Sequence, residues 1–196
     1  PKPKVFFCRG DLSRLIFPNY DAGFTESNKL NLQKFIPSKY DFDVVSIQFA
    51  LHYFFKNEIT CRTILQNISD NLKIGGYLIG TCYDGKRVFN KLKDKKEIIG
   101  LTNSGEELWS IKKNYTSRTL PDTKTSLGRE IIVYVKSIGS EHPEYLVNFD
   151  YLDKLLIEYG LKKIKVTSFE DNWKDMVKGT NILKNGKRIG NSMTSS

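Results

Sequence analysis

The side chains best suited to chemistry in this chain follow one apolar stretch near its first quarter. Residues 42–47 read Phe-Asp-Val-Val-Ser-Ile, and the next six residues include an amide, two aromatic rings and an imidazole, in Gln48, Phe49, His52 and Tyr53. Rings stack on planar ligands, and amide and imidazole groups hydrogen bond to the edges of such ligands. These residues therefore predict a site for a flat, hydrogen-bonding ligand such as a nucleobase.

The elements around this cluster predict an α/β fold. An unbroken β-branched strand over 43–49, of the kind covered on both faces, precedes an amphipathic helix over 58–72. Gly75-Gly76 is expected to end that helix, and a strand over 77–82 follows. A strand, a helix and a strand with short loops predict a parallel pair, and ligands bind just beyond the carboxyl ends of such strands.

The remaining elements follow from periodicity and turn signals. We predict further strands over 4–8, 107–115, 129–137 and 163–169, and helices over 26–35, 86–96 and 149–159. The expected organisation is a sheet core over 1–96, an antiparallel β insertion over 97–148, a returning helix and strand of the core over 149–169, and a basic polar tail over 170–196.

The charge of the chain favours a polyanionic partner. Its 196 residues include 31 lysines and arginines against 22 acidic residues, a formal net charge of +9. RNA or DNA phosphates are the leading partners for such a surface, although basic charge also serves solubility alone. Lys86, Arg87 and Lys91 on the predicted helix are either RNA or triphosphate contacts or a solvated helix face.

Composition argues against membrane insertion and a metal centre. No apolar run reaches 18 residues, and the three cysteines lack metal-binding spacing. We expect an intracellular, reducing location, no membrane partner and no metal. With only two histidines, the chain also offers no arrangement of Ser, His and Asp or of Cys and His for nucleophilic catalysis.

Three motifs carry a family resemblance. They are Gln48-Phe49-x-x-His52-Tyr53, Leu72-Lys73-x-Gly75-Gly76 and His142-Pro143-Glu144-Tyr145. Over residues 5–169 the chain resembles the mRNA cap guanine-N7 methyltransferases, most closely the capping enzymes of large cytoplasmic DNA viruses. The resemblance implies a Rossmann-like methyltransferase sheet and methyl transfer from S-adenosylmethionine to N7 of the guanine cap of mRNA.

The resemblance also implies cofactor contacts. Asp11 and Leu12 match the positions that receive the adenine of S-adenosylmethionine. Gln48 and Phe49 match those that line its methionine side, and Tyr53 lies beside the transferred methyl group. Without the resemblance, Asp11 is equally suited to cap a helix that follows it.

For the cap guanine, the resemblance implies His52, Tyr53, Tyr83 and Glu144. Glu144 matches the carboxylate that accepts the guanine N1–H and amine, and Tyr83 stands where cellular relatives usually have proline. We expect the His52–Tyr53 corner and Glu144 to close on opposite sides of one purine. The alternatives are core packing for His52 and Tyr53, and a surface carboxylate after a turn at Pro143.

The resemblance has two departures. Such enzymes hold S-adenosylmethionine on a Gly-rich loop and a ribose-binding acid, and no such loop precedes Gly75; the family's closing strand is not apparent after residue 170. We therefore expect part of a larger capping polypeptide, inactive alone, that works in the cytoplasm, a viral factory or a virion. Other capping domains or a stimulatory subunit are expected partners. The alternative is a non-catalytic module that binds caps or RNA.

Overall fold

The computed structural model describes residues 5, 7–17, 22–35, 42–179, 183–184 and 187–188. Its helices are α1 (Glu26–Phe35), α2 (Glu58–Asn71), α3 (Gly85–Lys91), α4 (Phe149–Glu158) and α5 (Phe169–Gly179). Its strands are β1 (Phe42–Gln48), β2 (Leu72–Thr81), β3 (Glu97–Leu101), β4 (Glu107–Lys113), β5 (Glu130–Val135), β6 (Glu141–Tyr145), β7 (Leu183–Lys184) and β8 (Lys187–Arg188). The chain divides into two units, residues 1–162 and residues 163–196.

Strands β1 and β2 form the predicted parallel pair. Gln48 pairs with Thr81, so both strands end at the same edge of the sheet. Helix α2 begins at the Asn57 cap, whose side chain accepts the Thr60 N–H, and buries its apolar stripe against one face of the pair and against α4. The other face carries exposed side chains such as Val44 and Ile79, so the prediction that this strand is covered on both faces is wrong.

The predicted end of α2 agrees with the structure within one residue, but the predicted stop signal at Gly75-Gly76 is wrong. The helix stops at Asn71 because Leu72 already pairs with Phe42 as the first residue of β2. Gly75, at a φ of +81°, lies inside β2 instead. At this point the pairing register between β1 and β2 shifts: Leu72 pairs with Phe42, whereas Tyr77 pairs with Val44. The glycine therefore serves a bulge between strand segments rather than a helix terminus.

The antiparallel insertion has four strands, in the order β3-β4-β5-β6, where two were predicted. Strand β6 lies at the edge and carries Pro143, which faces Ile132. An edge strand tolerates a proline because one side of its ladder is unpaired. Helix α3 covers the sheet with Val88 and Phe89, and it ends at Lys91, five residues before the predicted end.

Two predicted strands are not formed. Residues 5 and 7–8 lie in no strand, and residues 4 and 6 fall outside the described part of the chain. Residues 163–168 are not a strand either; Ile164 and Val166 alternate as strand residues do but are exposed. Helix α5 follows, in the region predicted as a basic polar tail. Ser168 caps it by accepting the Asp171 N–H, at 3.0 Å.

Candidate functional site

The parallel register fixes the loop that follows β1. The Phe49 N–H donates both to the Thr81 carbonyl, at 2.9 Å, and to the Thr81 hydroxyl, at 3.1 Å. The same hydroxyl donates to the Gln48 side-chain oxygen at 2.9 Å. Thr81 was not predicted as a site residue, although its place at the end of the neighbouring strand was the available signal. It sets the direction in which the loop leaves the sheet.

Three of the predicted guanine-binding residues meet beyond this edge. The 3-10 helix Leu51–Lys56 carries His52, which is only 3% exposed, and Tyr53, which is 48% exposed. Their ring centroids lie 4.3 Å apart in an edge-to-face arrangement. Tyr83, in the loop after β2, stacks at 6.2 Å from the His52 ring. The two loops therefore form one aromatic corner.

The antiparallel sheet supplies Glu144 to this corner through two backbone tethers. The Gly85 N–H donates to the Val147 carbonyl at 3.0 Å, and the Gly128 N–H donates to the Phe55 carbonyl at 2.9 Å. A Cβ atom at Gly85 would lie 2.4 Å from the Val147 oxygen. Only glycine allows this approach of two main chains, which brings the first residue of α3 against the segment after β6.

Glu144 and His52 are in direct contact. Glu144 Oε2 lies 3.5 Å from His52 Nε2, and both side chains are buried. Within the described part of the chain, neither this oxygen nor either His52 ring nitrogen has a hydrogen-bond partner. Buried polar atoms are normally paired, so a set of unpaired atoms at one place is typical of a site that receives a ligand.

Burial shifts the pKa values of both groups toward their neutral forms. Desolvation raises the pKa of Glu144 to about 7 and lowers that of His52 to about 4. The short distance is therefore not that of an ion pair, because desolvation favours the neutral forms of both the imidazole and the carboxyl. Desolvation, with a smaller contribution from Glu144, also raises the pKa values of Tyr53 and Tyr83.

His52, Tyr53, Tyr83 and Glu144 thus share one corner, but a purine does not fit between His52 and Glu144. At 3.5 Å the two side chains already touch, and a base needs van der Waals separation on both of its faces. A planar ligand at this corner would instead lie along the exposed Tyr53 ring, with its edge toward the Glu144 carboxyl. We predicted that the His52–Tyr53 corner and Glu144 would lie on opposite sides of one purine. The structure corrects this: they form two adjoining walls of one site.

The predicted cofactor residues lie on two segments. Gln48 and Phe49 stand at the sheet edge, where Phe49 is exposed and has a φ of +49°. Asp11 lies in a turn rather than before a helix, and its Oδ1 accepts the Ser13 N–H at 3.0 Å and the Ser13 hydroxyl at 2.7 Å. These hydrogen bonds lower its pKa. Leu12 is tied to α2 through its carbonyl, which accepts from Asn67 Nδ2 at 3.2 Å.

One basic side chain of α3 is occupied by structural contacts. Lys86 Nζ lies 2.7 Å from Asp122 Oδ1 and also pairs with Asp150. Asn148, buried completely, donates to Asp122 and to the Pro121 carbonyl while its side-chain oxygen caps α4. Sequence reasoning missed Asn148, whose position at the start of a predicted helix was the available signal. Arg87 and Lys91 remain as the other basic side chains of α3.

A sequence model of the mRNA (guanine-N(7))-methyltransferase domain matches residues 15–196. The chain belongs to this family. It is 31% identical, over 85% of its length and 15% of the relative, to a probable mRNA-capping enzyme of Acanthamoeba polyphaga mimivirus. It is 28% identical to an mRNA cap guanine-N(7) methyltransferase of Saccharomyces cerevisiae, over 74% of this chain and 34% of that protein. It is 26% identical to mRNA cap guanine-N(7) methyltransferase 1 of Arabidopsis thaliana, over 83% of this chain and 43% of that protein.

The comparisons confirm the resemblance seen in the three motifs, and the mixed α/β architecture with parallel and antiparallel sheets agrees with a methyltransferase fold. The chain spans less than half the length of each of these relatives. Within the described ranges, no group of three His, Cys, Asp or Glu side chains is placed to hold a metal ion. None of the helices described is both long and apolar enough to cross a bilayer.

Proposed function

We propose that this chain provides the guanine-binding site, and part of the cofactor-binding site, of an mRNA cap guanine-N7 methyltransferase. The supporting observation is the buried Glu144 Oε2 atom, which has no hydrogen-bond partner in the described structure and lies at an aromatic corner. In this proposal β1 and β2 belong to a Rossmann-like sheet. Residues 97–148 form its antiparallel insertion.

The proposed specificity comes from Glu144. An ionised carboxylate offers two acceptor oxygens to the N1–H and the exocyclic amine of guanine, and adenine has no matching pair of donors. Binding of guanine would therefore favour the ionised form of a carboxyl whose pKa burial has raised to about 7. Tyr53 would stack on the base, while Tyr83 would close the far side of the His52 ring.

The residues present also fit S-adenosylmethionine at the sheet edge. Phe49 exposes a ring there, and the Gln48 amide is held by Thr81 and Ser46. When bound, this cofactor supplies an electrophilic methyl group. Guanine N7 carries a lone pair at neutral pH, so no residue has to remove a proton. The protein's task is orientation, which is worth roughly 7–11 kcal/mol for well-aligned reactants.

The wider expectations belong to the same proposal. They are capped mRNA as the substrate, other capping domains or a stimulatory subunit as partners, and the cytoplasm, a viral factory or a virion as the location. Asp11 and Leu12 are proposed adenine contacts. A non-catalytic module that binds caps through the same corner is the alternative, and a transfer assay separates the two.

The test uses the native polypeptide that carries this chain, with RNA capped by guanosine or by inosine, which lacks the exocyclic amine. We expect Glu144→Ala to lower kcat/KM on guanosine-capped RNA by roughly 100-fold, since two charge-assisted hydrogen bonds are lost. Cofactor affinity should be unchanged. For the wild type, kcat/KM on inosine-capped RNA should be roughly tenfold lower than on guanosine-capped RNA. For Glu144→Ala, the two RNAs should give the same kcat/KM.

Glu141→Gln is the matched control, because Glu141 lies on the same strand but is exposed and pairs with Lys112. It should behave as the wild type. Unaltered turnover in Glu144→Ala would remove Glu144 from the guanine site. Cap binding by a wild type that transfers no methyl group would instead support the binding module.

A further inference from the structure

A groove lies next to the candidate guanine corner, between α3 and the antiparallel sheet. Its volume is about 470 Å³, within the range of roughly 300–1,000 Å³ typical of small-molecule sites. Apolar side chains of β3, β4 and β5 form its floor. They are Ile98, Ile111, Val133 and Val135. Tyr83 lines both the groove and the guanine corner, so the two are continuous.

Trp109 of β4 forms an aromatic wall of this groove. Its indole ring lies over Gly100, the residue paired with it on β3. A Cβ atom at Gly100 would come within 2.3 Å of the ring, so the missing side chain is what lets the indole lie flat on the sheet. The residue is 36% exposed. A fixed, partly exposed indole is the kind of surface on which a nucleobase stacks.

The rim of the groove is positively charged. Arg87 and Lys91, one helical turn apart on α3, both line it. Within the described ranges neither has a carboxylate within ion-pair distance, in contrast to Lys86 on the same helix. Asp84, the acidic residue at the groove, is engaged as the cap of α3, where it accepts the Arg87 N–H at 3.1 Å. Arg87 and Lys91 are therefore available to contact an anion supplied by a ligand.

We propose that this groove binds the first transcribed nucleotide of the RNA, the one joined to the cap guanosine through the triphosphate bridge. The base would stack on Trp109, and Arg87 and Lys91 would contact phosphates. The inference rests on the proposed function, because the guanine corner beside Tyr83 fixes where the RNA begins. An aromatic wall with two unpaired cations fits a nucleotide better than an acidic peptide, which has no flat ring to stack.

Fluorescence tests this placement directly, because Trp109 and Trp173 are the chain's two tryptophans. In a background of the native polypeptide in which Trp173 and any tryptophan outside these 196 residues are replaced by phenylalanine, the emission reports Trp109 alone. We expect the capped dinucleotide GpppA to quench it and GTP, which lacks a second nucleoside, to leave it unchanged. Quenching by both ligands alike, or by neither, would overturn the proposal.

Kinetics separate this groove from the guanine corner. Trp109→Ala and the double variant Arg87→Glu, Lys91→Glu should each raise the KM for GpppA and for capped RNA roughly tenfold, as expected for a lost stacking contact. Methylation of GTP should keep its wild-type KM in Trp109→Ala, because GTP lacks the nucleoside that would stack there. Trp109→Phe should restore binding of GpppA, and Lys95→Glu, an exposed lysine outside the groove, should have no effect.

An unchanged KM for GpppA in both groove variants would overturn the groove as a nucleotide site, and a peptide partner would become the better occupant. A rise in KM for GTP of the same size in Trp109→Ala would also overturn it, since Trp109 would then act on the guanine itself. If the wild type methylates neither GTP nor GpppA, it is the proposed function that fails. The fluorescence result still decides the groove in that case.

Discussion

The two sheets of the first unit differ in how they are packed, and the candidate site lies where they meet. The parallel pair β1–β2 is covered by α2 on one face and leaves Val44 and Ile79 exposed on the other. The antiparallel sheet buries Ile131 and Val133 under α3. The parallel pair contributes loops with aromatic rings, and the antiparallel sheet contributes one buried carboxyl. In the candidate site, the well-packed antiparallel sheet thus holds an acid, Glu144, against the less buried ends of β1 and β2.

The junction between the sheets should be the most sensitive point. Gly85→Val would place a side chain within 2.4 Å of the Val147 carbonyl, where both neighbours are backbone. We expect the free energy of unfolding to fall by on the order of 4 kcal/mol, the range of severe core disruptions. Urea denaturation measures it. Gly105→Ala is the control, because its Cβ would meet nothing within 4 Å and only its positive φ is unfavourable. Equal losses in the two variants would show that the sheets do not depend on this tether.

The buried carboxyl should make the antiparallel side of the site pH-sensitive. Because folding raises the pKa of Glu144 from its ordinary 4.5 to about 7, the free energy of unfolding falls as the pH rises through this interval. The loss is on the order of 3 kcal/mol and is complete above about pH 7. His52 acts oppositely: its pKa falls from 6.5 to about 4, so its unfavourable contribution appears as the pH drops below 6.5.

Glu144→Gln isolates the carboxyl contribution, because the amide does not titrate. The difference in unfolding free energy between variant and wild type should grow from pH 4.5 and level off above pH 7, in urea titrations at each pH. A flat difference for Glu144→Gln would mean that the carboxyl is ionised at little cost in the folded state.

The comparison also shows how far sequence reasoning reaches. The parallel pair was predictable because apolar runs and an amphipathic helix are local signals, and its strand-end loops follow from topology. Burial of Glu144 was not predictable from local signals. A proline such as Pro143 is typical of a turn, and β6 forms only by pairing with β5. In the second unit, alternation of Ile164 and Val166 suggested a strand, and the capping signal Ser168-x-x-Asp171 of the helix that forms was missed.

The loop that Asn148 holds should matter less than the tether at Gly85. Asn148 caps α4 and donates to Pro121 and Asp122, whereas Asn57 only caps α2. We expect Asn148→Ala to lower the free energy of unfolding by roughly 2 kcal/mol, and Asn57→Ala by about 1 kcal/mol. Urea denaturation of both variants checks the difference. Equal effects would show that the contacts to residues 121 and 122 add no stability.

The smallest effect on stability is expected at the carboxyl end of β1. Phe49 is the one non-glycine residue with a positive φ within the part of the chain that is described, at +49°, and its ring is exposed. Asparagine adopts this conformation more readily than phenylalanine. Phe49→Asn should therefore change the free energy of unfolding by less than about 1 kcal/mol, toward greater stability.

If the Phe49 ring serves the cofactor, the same substitution should weaken S-adenosylmethionine binding roughly tenfold in calorimetry, the size of one lost aromatic contact. The two measurements together separate a functional residue from a structural one. If the Phe49 ring contacts the ligand, the variant loses affinity for S-adenosylmethionine while its free energy of unfolding is kept or increased. Unchanged affinity with lowered stability would instead assign the Phe49 ring to packing at the parallel edge.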